Sequence, residues 1–207
     1  TGPKNRLSRR EGIDLGLKTT GSKAQSSLLR RMNIKPGQRP NSHMGKQTEY
    51  ALQLREKQKV RRLYGLLEKQ FSNLMKEANR SKGQSGQVLL QLLERRLDNA
   101  VYRAGFATSR RAARQLVGHG HFTLNGRRVD IPSIRVSEGD EIVVRSKSTA
   151  NEYFKQLADV ASAANQPSLS WLTSDVKKQT IKITGLPTRE EAEVDINEQL
   201  IVEYYSR

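Results

Sequence analysis

The 207-residue chain has no cysteine, which excludes disulfides, cysteine-ligated zinc sites and thiol nucleophiles. Aromatic residues make up only 5% and form no exposed pair, so stacking of single-stranded bases is the weaker mode of any nucleic-acid contact. The three histidines, His43, His119 and His121, stand apart from any acidic pair that would complete a metal or acid/base site. No catalytic residue, metal or cofactor is therefore expected. Gly83-Gln84-Ser85-Gly86 lacks the Lys-Ser/Thr that would follow in a nucleotide-phosphate loop. No apolar run approaches the length of a membrane span and no secretory core opens the chain, so a cytoplasmic protein with no membrane partner is expected. Acidic residues are also scarce: 37 Lys and Arg face 21 Asp and Glu, giving a net charge of +16 and a pI near 10.4. A polyanionic partner follows.

The surplus is concentrated toward the N-terminus. Residues 1–62 carry 16 basic and 4 acidic side chains, whereas residues 151–207 are net negative. Residues 1–47, rich in Lys, Arg, Gly and Pro with little apolar periodicity, predict an extended basic arm that is ordered on its partner. From 48 to 79 a single helix is expected, with Val60, Leu63, Tyr64, Leu67, Phe71, Leu74, Met75 and Ala78 on one stripe. Arg55, Lys57, Lys59, Arg61 and Arg62 crowd its N-terminal half. A solvated face is the bland alternative, but Glu56 and Glu68 are too few to neutralise them, so phosphate contact is preferred.

After the breaker segment 81–87, residues 88–104 predict a second helix closed by Gly105 at C′. Ser109 caps a short basic helix over 110–117. Then Asn125-Gly126 between Phe122-Thr123-Leu124 and Arg127-Arg128-Val129 signals a type I′ hairpin. Further elements are a strand over 141–145, a helix over 150–164, a strand over 180–184 and a terminal helix from about Asp195. The fold class is α+β: a mainly helical domain (48–92 with about 150–207), a small helix-helix-hairpin module (93–149) and the arm. Arginines dominate the module, and their guanidinium forks match phosphate oxygens in bidentate fashion. Structured RNA, met through backbone and shape, is the expected ligand.

The run Leu92-Leu93-Glu94-Arg95-Arg96-Leu97-Asp98-Asn99-Ala100-Val101-Tyr102-Arg103-Ala104-Gly105-Phe106-Ala107 resembles the RNA-binding module of the family of the fourth small-subunit ribosomal protein of bacteria. So do Ala113-Arg114-Gln115-Leu116-Val117-Gly118-His119 and Leu124-Asn125-Gly126-Arg127-Arg128-Val129-Asp130. Gly2-Pro3-Lys4, the segment 52–65 and the ending 195–206 extend the likeness to both ends of the chain. The resemblance implies a primary binder of small-subunit ribosomal RNA that joins early in assembly and grips a multi-helix junction. It further implies a position bordering the channel through which messenger RNA enters, and a protein neighbour, the fifth small-subunit protein, at an interface linked to decoding fidelity.

Composition and resemblance together place RNA contacts at Lys4, Arg6, Arg9, Arg10, Arg30 and Arg31 in the arm, and at Arg55, Lys57, Lys59, Arg61 and Arg62 in the first long helix. In the module they fall at Arg96, Arg103, Arg110, Arg111, Arg114, Gln115, His119, Asn125, Arg127 and Arg128. Two departures stand out. The N-terminal cysteines that bind zinc in many relatives are absent, and the basic loop facing messenger RNA keeps only Arg39 and Lys46. An RNA-modifying enzyme is the other reading, because Arg96-Leu97-Asp98 resembles the catalytic triplet of pseudouridine synthases. Asn99-Ala100-Val101 does not continue that motif, and no catalytic domain of adequate length remains. A free RNA chaperone would be much shorter.

Overall fold

A computed structural model describes residues 2–19, 21–37, 46–164, 169–193 and 195–206. They form two compact units, Thr1–Leu89 with Asp195–Arg207, and Leu90–Val194. Residues 150–194 cluster with the module residues in the second unit, and 195–207 with the first.

The first unit is helical. Helices α1 (Lys4–Glu11) and α2 (Lys23–Leu29) lie in the segment expected to be an extended arm. Each is about two turns long, too short to show a periodic apolar stripe, and the buried leucines of the segment are Leu28 of α2 with Leu15 and Leu17 between the helices. The predicted helix over 48–79 is two helices, α3 (Glu49–Leu63) and α4 (Glu68–Arg80). Gly65 separates them: its φ of 66° is open to glycine, and Leu66 N–H to Arg61 O at 2.9 Å closes a Schellman end. Helix α5 (Ser85–Glu94) contains the boundary between the units, and α11 (Glu198–Ser206) packs on α3, starting three residues later than expected.

The second unit joins helices to a sheet. The predicted helix over 88–104 is interrupted after α5 and resumes as α6 (Leu97–Arg103). Between them, Arg96 pairs with Arg135 in an isolated bridge, Val136 N–H reaches Arg95 O at 2.8 Å and Leu97 N–H reaches Ile134 O at 2.8 Å. Helix α7 (Arg110–Gly118) starts under Ser109, whose hydroxyl accepts from Ala112 N–H. The hairpin β1 (Phe122–Leu124) and β2 (Arg127–Val129) turns at Asn125 and Gly126, with φ of 49° and 78°. With β3 (Glu141–Val144), β4 (Leu172–Asp175) and β5 (Thr180–Ile183) it forms an antiparallel sheet in the order β2-β1-β3-β5-β4. After a short α8 (Ser146–Thr149), the helix expected over 150–164 is split into α9 (Glu152–Lys155) and α10 (Leu157–Ala164). One core gathers Leu97, Val101 and Phe106 near α6, Val117 of α7, Phe122 and Ile142 of the sheet, and Phe154, Leu157, Trp171 and Ile181. Among the described residues no helix is long and apolar enough to cross a membrane.

Candidate nucleic-acid interface

Many of the cations placed on the first unit are engaged with carboxylates. Arg55 lies 3.3 Å from Glu11 Oε1, and Arg62 donates to the same oxygen. The Glu11 side chain is 1% exposed, and burial pushes its carboxyl above the ordinary value even though Arg55 and Arg62 act to lower it. Burial likewise lowers the Arg62 guanidinium. Lys57, expected to be solvent-facing, is a correction. It is 4% exposed, 2.7 Å from Glu68 Oε1 and over the Tyr204 ring at 4.4 Å. Burial would raise Glu68, but hydrogen bonds from Lys57 and Tyr205 hold it below the ordinary carboxylate value. Burial and that bond to Glu68 push Tyr205 up. Lys59 pairs with Glu56 at 2.7 Å, and Arg61 donates to Gln58 at 2.7 Å.

The exposed cations of this unit lie elsewhere. Arg6 and Arg10 on α1 and Arg30 and Arg31 after α2 face solvent, the last two beside Lys23, Ser26 and Ser27 in one shallow hollow. Lys4 is half-buried, and Arg9 is occupied by the Ile34 carbonyl at 2.7 Å. Of the two messenger-facing candidates, Lys46 is exposed and Arg39 lies outside the described residues.

In the second unit a polar network runs beneath α6 and α7. Glu94, 1% exposed, accepts from Arg103 Nε at 3.0 Å and Nη2 at 2.9 Å, and from Asn99 Nδ2 at 2.6 Å. Arg110 stacks on the Tyr102 ring at 4.6 Å and donates to Asn99 at 2.8 Å and Glu193 at 2.6 Å. Asp98 accepts two bonds from Arg96 at 3.2 Å each, one from Arg114 at 3.2 Å and one from Asn99 N–H at 3.0 Å. Arg96 and Arg103, expected on the surface, are thus 5% and 6% exposed: they hold the module together from inside. The carboxylate that prompted comparison with a catalytic aspartate is bracketed by guanidinium groups and buried.

What remains outside is a cationic face built by α7 and the hairpin. The side chains of Arg111, Arg127 and Arg128 make no hydrogen bond or ion pair among the described residues. Gln115, His119 and Asn125 are exposed, and the side chain of Arg114 is 42% exposed despite its bond to Asp98. Asn125 also braces the turn, donating to Asp140 at 2.8 Å and accepting from Glu141 N–H at 2.9 Å. Arg145 had not been singled out. It follows β3, its N–H bonds His121 O at 2.9 Å, and its guanidinium donates to Gly120 O at 3.0 Å. Only the β1–β3 register, which pairs Phe122 with Val144, reveals that placement.

His121 stacks edge-on with Phe154 and lies 3.0 Å from the Ser148 hydroxyl. Burial first, then the charges of His119 and Arg145, hold its imidazole below the usual 6.5. The unfolded chain therefore takes up a proton more readily than the folded one. The stability that His121 contributes is complete above about pH 6.5 and is lost as pH falls through the depressed folded value. Melting temperature should fall on acidification from about pH 7.5 to about pH 5, and less steeply in His121→Gln, as followed by circular dichroism.

A basic α7 and an arginine-tipped hairpin on one antiparallel sheet define the class: an S4-domain protein, built to present cations to structured RNA. The S4 domain description matches residues 95–142, and residues 1–94 match the ribosomal protein S4/S9 N-terminal domain. Three bacterial proteins, each called small ribosomal subunit protein uS4, are similar over the whole chain and 98% of their own length. They come from Herpetosiphon aurantiacus (51% identical), Clostridioides difficile (49%) and Thermus thermophilus (48%). The chain belongs to the uS4 family of small-subunit ribosomal proteins, which are structural proteins and not enzymes.

Proposed function

We propose that the chain is a structural component of the small ribosomal subunit in the cytoplasm, where it binds small-subunit ribosomal RNA early in assembly and helps nucleate the body of the particle. The observation that carries this reading is the cationic face of α7 and the hairpin, where the side chains of Arg111, Arg127 and Arg128 have no polar partner among the described residues. Charges of one sign, free of protein partners and mounted on regular elements, suit phosphate groups held in a fixed shape. Arg6, Arg10, Arg30 and Arg31 supply a second set of exposed cations on the other unit. The family resemblance supports the finer parts: a place beside the incoming messenger RNA, with Lys46 as an exposed candidate contact, and an influence on decoding through the fifth small-subunit protein.

The combined change Arg111→Ala and Arg127→Ala tests the reading. Both side chains lack protein partners, so stability should move by only about 0.5 kcal/mol. Affinity for isolated small-subunit ribosomal RNA should fall, and the slope of log affinity against log salt should drop by about two. A binding isotherm and a melting curve on the same variant check it. An unchanged isotherm would remove this face from the interface.

A further inference from the structure

Arg128 is held in place by something other than a carboxylate. It sits on β2 opposite Thr123 of β1 and has no polar partner among the described residues. Its guanidinium lies against the bare α-carbon of Gly120: a Cβ built there would be 2.8 Å from Nε, 2.9 Å from Nη2 and 3.3 Å from Cζ. The backbone of Gly120 is itself fixed on several sides. It is buried, its N–H reaches Val117 O at 2.8 Å, and His121 N–H reaches Leu116 O at 3.3 Å to close the end of α7. Its carbonyl accepts the Arg145 guanidinium at 3.0 Å. A flat cation therefore rests on a flat, immobile stretch of backbone, with its donors uncommitted and the exposed His119 next in sequence to its seat.

We infer that Gly120 is a positioning residue for RNA binding, whose missing side chain seats the Arg128 guanidinium in the orientation that meets a phosphate. The inference rests on the reading that the hairpin faces RNA, and adds how one of its arginines is set in advance. A long side chain ordered before binding loses less freedom on contact, which strengthens association without any new bond. A Cβ at Gly120 would have to displace something. The backbone cannot yield without breaking the end of α7, whereas the guanidinium is the far end of a flexible chain. Arg128 is therefore what moves.

The φ of 70° at Gly120 means that Gly120→Ala combines two effects, backbone strain and loss of the seat. Asparagine adopts this left-handed conformation more readily while still carrying a Cβ, so Gly120→Asn separates them. The experiment measures affinity of the full chain for isolated small-subunit ribosomal RNA across a salt series. It compares wild type, Gly120→Asn, Arg128→Ala and the double variant, and follows the Arg128 Nε–H signal of each free protein that retains Arg128 by NMR. Arg128→Ala should bind more weakly, with a salt slope lower by about one. Gly120→Asn should weaken binding about three- to tenfold, the range expected for one newly mobile side chain. It should add nothing in the Arg128→Ala background, and it should make the Arg128 Nε–H signal mobile in the free protein. Equal losses in both backgrounds would show the glycine acting through the backbone alone, and no loss would show that no seat is needed. Either overturns the inference while Arg128→Ala still upholds the interface. Wild-type binding by Arg128→Ala would overturn the inference and take this arginine out of the interface as well.

Discussion

Glu94→Ala should destabilise the chain by about 3–5 kcal/mol, the usual effect of removing one partner from a buried ion pair. The carboxylate accepts two bonds from Arg103 and one from Asn99 in a position 1% open to water. Without it the enclosed Arg103 guanidinium loses its bidentate partner and is left to the more open Glu193 at 3.4 Å, and the Asn99 bridge to Arg110 loses one support. Arg103→Ala should be comparably damaging from the other side of the pair. Urea denaturation followed by circular dichroism measures both. The result separates the structural arginines from the RNA-facing ones, since Arg127→Ala should leave the midpoint nearly unchanged. A variant Arg103→Ala that unfolds normally but fails to bind RNA would return Arg103 to the interface.

Affinity for isolated small-subunit ribosomal RNA should collapse with salt. Engaging about six to ten phosphates implies a loss of about 10³–10⁵ in affinity between about 50 mM and 200 mM monovalent salt, through counterion release. The exposed Arg6, Arg10, Arg30, Arg31, Arg127 and Arg128, with Arg111 and Arg114 partly exposed, can supply that number. The buried or paired cations on Glu11, Glu68 and Glu94, and Arg96 on Asp98, should not register in the slope. Filter-binding or fluorescence titrations at several salt concentrations give it directly. A slope matching only one or two phosphates would sink the backbone-reading mechanism.

The parts of this fold legible in the sequence are those set by near neighbours. Asn125-Gly126 specifies its turn because both residues tolerate positive φ, and Ser109 marks the start of α7 through a bond three residues away. The buried network was not legible for a geometric reason. In one unbroken helix, residues nine apart face about 180° away from each other, so Glu94 and Arg103 read as strangers. The interruption at Arg95 and Arg96, imposed by strand-like bonds from residues 132–136, turns them toward one another. Lys57 and Glu68 present the same problem, because eleven residues of continuous helix would hold them about 16 Å apart along the axis, and Gly65 folds that distance away. Strand β4 offered little alternation over its four residues, Leu-Thr-Ser-Asp, and the burial of Trp171 beside it is visible only once β5 is in place.

The strand order leaves β2 at one rim of the sheet, where its outward backbone groups have no neighbouring strand among the described residues. Rims of this kind invite another copy of the same chain to add a strand, the first step of aggregation. Here the rim carries Arg127 and Arg128 in succession, both exposed. Two such edges meeting would bring four guanidinium groups together along one seam. On the proposed function, the charges that guard this rim against self-association are the same ones that meet phosphate.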